Sequence, residues 1–271
     1  MRALLRDLRL YRLLVAMQAR SQLQYKANIS IDITAQFAIT TLEFTQIFLL
    51  FASFTTLAGW SAGEVALLYG VTSVSFGLAE LLGAGIEGFD EMIRRGEFDR
   101  VLLRPVSPFL QVAGSDFRMR RFGRLTNGLL AVGVGLFLLG GLPWRPLDFL
   151  VLPLGVLSGV LVFLAVMVLG ATLCFWTVET TELTNILTYG GREMLSWPLS
   201  VYSQSLQRFF LFVVPLAFGT YAPVCYLLGK PLPLGLPDAL AFAAPIVALA
   251  FAGIAAAIWG FGVRRYQSTG S

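Results

Sequence analysis

The sequence contains no histidine and has few charged residues. With no His among 271 residues and only 13% of them charged, the chain lacks the commonest general base and any HExxH zinc motif. It also lacks the GxxxxGK[ST] loop that binds nucleotide phosphates. We therefore expect no catalytic residue, no metal and no cofactor in this chain. An enzyme is disfavoured on residue types alone.

Cysteine is nearly absent as well. Cys174 and Cys225 both lie in apolar stretches and form no CxxC pair. This pattern is typical of buried free thiols and argues against a disulfide or a metal site.

Hydrophobic residues are what the sequence has in excess. They make up 56% of the chain, with a mean hydropathy of +0.74, which excludes an ordinary soluble domain. A bilayer core about 30 Å thick takes about 20 apolar residues per helix, and these runs lack the alternation of barrel strands. We predict an all-α integral membrane protein, a single domain over residues 1–271. Clear spans are predicted at residues 31–58, 65–86, 125–141, 149–176 and 239–263.

The stretch between residues 177 and 238 is harder to interpret. Hydropathy favours a span at residues 209–229, whereas residues 184–202 are weaker because they contain Arg192 and Glu193. One of the two is expected to cross, which makes six spans in all. The residues by themselves leave the choice open.

Basic residues predict the orientation of the spans. The amino-terminal 30 residues hold six of the 20 Lys and Arg, the loop at residues 87–124 holds eight, and Arg264 and Arg265 lie in the tail. Because cytoplasmic loops retain positive charge, these three segments and both termini are predicted to be cytoplasmic, which requires an even number of spans. The membrane block is residues 31–263 and the tail residues 264–271.

Residues 1–30 have the pattern of an amphipathic helix. Arg2, Arg6, Arg9 and Arg12 share one helical face, and the opposite face carries Leu4, Leu8, Tyr11 and Val15. This segment is predicted to lie in the inner-leaflet interface, bound to anionic membrane lipid. The alternative is a helix packed on a soluble partner.

Small residues recur at a spacing of four in two spans. Gly155 and Gly159 form a GxxxG motif, and Ala248, Ala252 and Ala256 form a stripe. Both patterns allow helices to approach closely. We favour packing within the chain over contact with a second copy.

The basic loop, residues 87–124, is the most informative segment. Acidic residues precede Arg94 and Arg95 at helical spacings, Gly96 allows a turn, and Pro105 and Pro108 end a following short helix. Such local order suits a surface that receives force from a cytoplasmic partner; the alternative is a solvated charged loop. The predicted coupling residues are Asp90, Arg94, Arg95, Gly96, Glu97, Phe98, Asp99, Arg104 and Pro105.

Several ordered motifs resemble one family of membrane proteins. Residues 96–108 read GEFDRVLLRPVSP, and downstream come Phe175-Trp176, residues 197–202 (WPLSVY) and residues 214–218 (VPLAF). These motifs are similar in order and approximate spacing to those of ABC-2 family permeases of the viologen-exporter type. The resemblance covers nearly the whole chain.

The resemblance implies an ABC exporter of the bacterial cytoplasmic (inner) membrane. In such exporters two permeases, identical or homologous, pair with two ATP-binding-cassette subunits that bind ATP and Mg; nucleic acid has no part in it. It also implies that residues 184–202 form the fifth span. Residues 204–229 would then be a re-entrant hairpin on the outer side, broken by Pro215 and Pro223.

Four charged residues are then expected at membrane depth. They are possible lining of a translocation path, or else members of structural ion pairs: Glu43, Glu80, Arg192 and Glu193. Because adjacent helical residues point about 100° apart, Arg192 and Glu193 are not expected to satisfy each other, and Glu43 or Glu80 is the expected partner. A carboxylate at such depth suits a cationic or amphipathic substrate.

A stand-alone secondary transporter or channel is the alternative function. It would carry ion-binding carboxylates at broken helices within inverted repeats, and no such repeat is apparent in the sequence.

Overall fold

The computed structural model describes residues 2–141, 145–177 and 181–267, and within these ranges it is helical with no strand. The side chains of residues 2–5, 8, 181 and 183 are outside the description, as are residues 268–271 of the predicted tail. The all-α prediction is confirmed. The α-helices are α1 (Arg2–Leu23), α2 (Lys26–Ser53), α3 (Ala62–Leu82), α4 (Ala84–Glu87), α5 (Phe89–Arg94), α6 (Glu97–Leu102), α7 (Pro108–Ala113), α8 (Arg121–Leu138), α9 (Asp148–Leu173), α10 (Thr181–Asn185), α11 (Gly191–Leu195), α12 (Gln204–Arg208), α13 (Leu216–Gly219), α14 (Tyr221–Leu228) and α15 (Ala244–Arg265).

Four helical segments in the described ranges are long and apolar enough to cross a membrane. They are α2, α3, α9 and the segment Asp238–Arg265 that contains α15, and they confirm four predicted spans. The first span ends at Ser53 rather than at residue 58, because the backbone of Phe54 is extended, with φ −133° and ψ 133°. Next, α3 begins at a capping box between Ser61 and Glu64.

The predicted third span corresponds to α8, which packs along α3. Its first turn carries Arg121 and Arg124, which lowers its hydropathy. Close approach depends on glycine, since a Cβ on Gly135 would lie 2.6 Å from the backbone nitrogen of Leu67. Tight packing therefore holds α8 against an apolar span.

The fifth predicted span is only partly a regular helix. A continuous segment joins α10, a π-helical turn at Ile186–Gly190, and α11, which ends at Leu195. The prediction that this helix runs to residue 202 is wrong, because Pro198 disfavours helical geometry at the residue before it. At 1.5 Å per residue the segment is about 22 Å long, shorter than the bilayer core.

The segment after residue 203 consists of short helices. Pro215 separates the π-helical turn Phe209–Val213 from α13. A second break separates α13 from α14 at Thr220, three residues before Pro223, which lies in the first turn of α14, where a missing N–H is tolerated.

The GxxxG motif packs within the chain, as predicted. A Cβ on Gly155 would lie 2.7 Å from Pro223, and one on Gly159 would lie 2.8 Å from Thr220. These two glycines therefore let α13 and α14 pack closely on α9. Both cysteines are buried and free, which confirms that prediction too.

The basic loop, the end of α9 and both described ends of the chain lie together at one end of the bundle. Tyr11 donates a hydrogen bond to the Leu82 carbonyl (3.0 Å), and the rings of Phe98 and Tyr266 are 5.1 Å apart. At the opposite end, Lys230 Nζ donates to the Gly59 carbonyl (2.6 Å). The three segments richest in Arg thus share one end.

The inner face of α1 packs on the basic loop. Gln18 donates to the Ser115 carbonyl (3.0 Å), Ser107 N–H donates to Asp7 (3.3 Å), and Tyr11 contacts Gly114. The interpretation of Tyr11 and Val15 as a lipid-facing stripe is therefore wrong: this face is covered by the chain itself. The outward face carries Arg9, Leu13, Met17 and Arg20.

Candidate functional site: the basic loop and the buried charge clusters

The basic loop folds into the four short helices α4 to α7. Ion pairs one turn apart hold α5, with Arg94 to Asp90 at 3.0 Å and Arg95 to Glu91 at 2.7 Å. Gly96 follows with a φ of +64°, a conformation that favours glycine, and α6 begins after it. The predicted helical spacings and the Gly96 turn are confirmed.

An aromatic cluster fixes this loop to the ends of two spans. Its members are Phe89, Phe98, Phe109, Phe175, Trp259 and Tyr266. The side chains of Phe89 and Phe98 are fully buried, and Phe98 lies 5.7 Å from Phe175 between ring centroids. Phe98 is therefore an anchor inside the subunit rather than a contact surface.

Asp99 also faces inward. Burial, and then the neighbouring Asp99 carboxylate, raise the pKa of the Tyr266 hydroxyl above its ordinary value. The predicted coupling residue Asp99 thus contacts the carboxyl-terminal end of α15. Substituting Asp99 would therefore remove a contact between the basic loop and the end of α15.

A second attachment joins the basic loop to α3 and α8. The buried Arg121 pairs with Glu87 and donates a hydrogen bond to the Glu80 carbonyl. Burial raises the pKa of Glu87, and the charge of Arg121 opposes that rise. Gln111 adds hydrogen bonds to the carbonyls of Val101 (3.2 Å) and Val106 (3.1 Å), which fix the following turn.

The loop tip, residues 100–105, projects from this anchored base. Leu103 is 85% exposed, and its neighbours Arg100, Arg104 and Pro105 are exposed as well. Arg94, Arg95 and Glu97 of the predicted set are also exposed. An apolar side chain surrounded by charged ones matches the apolar centre and polar rim of a protein–protein interface. Sequence reasoning missed Leu103, although an apolar pair directly before Arg-Pro was the available signal.

Arg192 forms one charge cluster deep in the bundle. Its guanidinium lies 2.9 Å from Glu43 and 3.4 Å from Glu193, and it donates a hydrogen bond to the Tyr69 hydroxyl (3.1 Å). The expected Glu43 partner is confirmed. The expectation that Arg192 and Glu193 do not pair is wrong, although this contact is the longer of the two because the residues are helical neighbours.

Exposure divides the Arg192 cluster into a hidden cation and accessible anions. The Arg192 side chain is 5% exposed, whereas Glu43 is 30% and Glu193 52% exposed. Two carboxylates therefore share one guanidinium and present the excess negative charge outward. Gln46, one helical turn after Glu43 on α2, is exposed as well.

Glu80 belongs to a separate cluster. Its buried carboxylate pairs with Arg124 and accepts a hydrogen bond from the Tyr189 hydroxyl at 2.9 Å. The Arg124 guanidinium also lies over the rings of Phe76 and Tyr189. Glu80 and Arg192 are therefore not brought together.

The family is identified by comparison with known sequences. The sequence model of the family described as ABC-2 family transporter protein matches residues 37–270. The chain belongs to the ABC-2 transporter family. No curated protein and no solved structure matches it.

Family membership makes this chain a multi-pass membrane permease, a component of membrane transport. ABC-2 permeases normally work with an ATP-binding subunit. In this ABC-2 permease the loop tip, with Leu103 85% exposed, lies at the end of the bundle that gathers the basic segments.

A cavity of about 400 Å³ opens next to the basic loop of this ABC-2 permease. Its lining includes Glu87, Asp90 and Arg118 from the loop side and Asn185 and Tyr189 from the α10 side. Tyr189 connects it to the Glu80 cluster. The cavity is thus a recess with both polar and apolar walls between the loop and the helical segment that carries Arg192.

Proposed function

We propose that this ABC-2 permease is the transmembrane subunit of an exporter in a bacterial cytoplasmic membrane. It pairs with a second permease, identical or homologous, and with two ATP-binding-cassette subunits that bind ATP and Mg. The observation that carries this proposal is the exposed loop tip on a buried aromatic base. Similarity of residues 96–108 to viologen-exporter-type permeases supports the outward direction.

The loop tip receives the motion of the ATP-binding subunit. Leu103 provides the apolar anchor and Arg95, Arg100 and Arg104 provide charge complementarity. A rigid contact is needed because a flexible segment would not transmit the displacement of the ATP-binding subunit to the spans. The aromatic cluster then passes motion to α9 and α15, while Arg121 passes it to α3 and α8.

The proposed topology has six crossings with the basic loop and both termini cytoplasmic. Residues 184–202 make the fifth crossing, in which α11 ends beside Thr72 near the middle of α3, and the Thr72 hydroxyl donates a hydrogen bond to the Leu195 carbonyl (3.3 Å). Residues 204–229 fill the outer half as the re-entrant hairpin. Irregular backbone at this depth is tolerated because it is packed against α9.

The translocation path runs along the exposed polar face of the Arg192 cluster, opposite a second permease. Glu193 is 52% exposed, and placing its charge against lipid would cost about 2.5–3.5 kcal/mol of insertion free energy. If this surface faces water or a second permease instead, Glu43 and Glu193 give the path a negative charge. The substrate class that fits is cationic or amphipathic.

Substitutions in the basic loop test whether it binds the ATP-binding-cassette subunit. In a strain that coexpresses the neighbouring ATP-binding-cassette subunit, Leu103→Asp should weaken copurification by roughly thirtyfold, the effect of losing an interface hot spot of about 2 kcal/mol. Arg95→Glu should uncouple ATP hydrolysis from transport. Leu103→Met, which keeps the apolar anchor, is the matched control.

Two results would count against this function. Full transport-coupled ATPase activity in both Leu103→Asp and Arg95→Glu would remove the coupling role of the loop tip. Substrate movement by the purified chain alone in vesicles, without any ATP-binding subunit, would favour the stand-alone transporter or channel.

A further inference from the structure

We propose that the groove between α9 and α15 binds a phospholipid, with an acyl chain in the groove and the phosphate at Arg264. The groove is a cavity of about 400 Å³ lined only by apolar side chains, a volume typical of sites for small organic molecules. Its lining comes from three elements: Leu161, Leu164 and Val168 of α9, Ala252 and Ala256 of α15, and Phe109 of α7. Two of its lining residues, Phe109 and Trp259, also belong to the aromatic cluster described above.

Its depth in the membrane indicates an acyl chain as the occupant. Both long walls belong to helices that are long and apolar enough to span a bilayer, so the surrounding medium is hydrocarbon. An unfilled groove forfeits dispersion contacts on every lining atom. The small side chains Ala252 and Ala256 form the floor where a larger residue would fill the space.

Charge at one end of the groove indicates an anionic headgroup. Arg264 is exposed, and its guanidinium turns back along α15, with a nitrogen 3.7 Å from the Cβ position of Gly260. Gly260 lies one turn after Ala256. Within the described residues no carboxylate forms an ion pair with Arg264. Arg264 is therefore placed to contact a lipid phosphate.

The occupant would touch the basic loop as well as the spans. Phe109 belongs to α7 of that loop, and its ring centroid lies 5.8 Å from that of Trp259. A lipid tail beneath Phe109 would fill the gap between the loop and the α9–α15 pair. The groove and the exposed Arg192 cluster use different elements, so the lipid is not the transported substrate in this assignment.

Photo-crosslinking tests the groove in the purified full-length chain in lipid nanodiscs. The probe is phosphatidylglycerol with a diazirine on the acyl chain, and the labelled peptides are identified by mass spectrometry. We expect labelling of residues 161–168 and 252–259. Ala256→Leu should reduce this labelling at least about fivefold, because an added side chain in a filled site costs about 1–3 kcal/mol. Arg264→Gln should reduce it by about fivefold, as expected for one Arg–lipid contact.

Ala257→Leu is the matched control, since Ala257 is exposed on α15 and does not line the groove. Equal labelling in Ala256→Leu and Ala257→Leu would overturn the proposal. So would efficient disulfide dimerisation of Ala256→Cys, because the groove would then belong to an interface with a second copy. These readouts do not involve the ATP-binding subunit, so they can fail while the permease proposal stands.

Discussion

At the scale of single residues, the Arg192 cluster shows how a cation can lie deep in the bundle. Arg192 is buried on α11 and is held by Glu43 from α2 and by Tyr69 from α3. Glu43 and Glu80 were both expected as partners, and the structure pairs Arg192 with Glu43. The contact with Tyr69 was not foreseen, because it depends on how α3 is rotated about its own axis.

Removing the cation should destabilise the subunit strongly. Arg192→Met leaves Glu43 without its partner, and breaking a buried pair costs about 3–5 kcal/mol. We expect a clear fall in the midpoint of thermal unfolding in detergent, whereas Arg208→Met, at an exposed position, should leave the midpoint unchanged. The double variant Arg192→Met with Glu43→Gln should recover part of the loss, since neither charge then remains unpaired. An unchanged midpoint in Arg192→Met would show that Arg192 is not structural.

At the same scale, the predicted coupling residues separate into two groups. Phe98 and Asp99 face the aromatic cluster and serve the interior, while Arg94, Arg95 and Arg104 face outward. A linear motif contains both kinds, because a short helix presents successive residues to different sides. Leu103 was missed because its exposure is decided by the turn after α6.

At the scale of elements, glycine sets how closely helices pack. Gly70 of α3 and Gly135 of α8 both meet backbone atoms of the neighbouring helix, with Cβ positions 2.5 Å and 2.6 Å from a nitrogen. Neither lies in a GxxxG motif. The motif that the sequence does show, at Gly155 and Gly159, serves the contact with α13 and α14 instead.

Two glycines of α8 offer a matched test of this packing. Gly135→Ala should push α8 away from Leu67 and reduce the yield of folded protein, measured by fluorescence-detected size-exclusion chromatography. Gly133→Ala has no atom within 4 Å of the new Cβ, and should instead stabilise by up to about 1 kcal/mol through helix propensity. Equal behaviour of the two variants would contradict the close α3–α8 contact.

At the scale of the whole molecule, the distribution of polar surface distinguishes a water-lined path from lipid-facing surface. At the depth of α2 and α11 the exposed surface carries the polar residues Gln46 and Glu193, with the exposed apolar residues Leu42 and Leu49 on the same face of α2 as Gln46. On α15, Leu249 is 63% exposed and apolar, as expected for lipid contact. Exposure alone does not separate the two surfaces, but their chemistry does.

Water access to these surfaces can be measured with cysteine variants. Gln46→Cys and Glu193→Cys should react with a membrane-impermeant maleimide in inside-out or right-side-out vesicles, because reaction needs a hydrated thiolate. Leu249→Cys should stay unlabelled in lipid. The native Cys174 and Cys225 are buried, so the unmodified chain gives the background. Labelling of Leu249→Cys as fast as Gln46→Cys would exclude a path along the polar face.

The sequence by itself determined that the protein lies in a membrane, that it is helical, and that its basic segments gather at one end of the bundle. Runs of apolar residues and clusters of Arg are local properties, and a bilayer responds to them span by span. The motif at residues 96–108 likewise pointed to the ABC-2 family before any contact was known.

Only the tertiary structure decided which charges meet and which residues remain free to bind a partner. It separated Glu80 from Arg192, turned Phe98 inward and Leu103 outward, ended the fifth helical segment at Leu195, and covered one face of α1 with the basic loop. The physical reason is that such contacts join residues far apart in the chain, and they depend on helix rotation and packing distance, which periodicity and hydropathy do not contain.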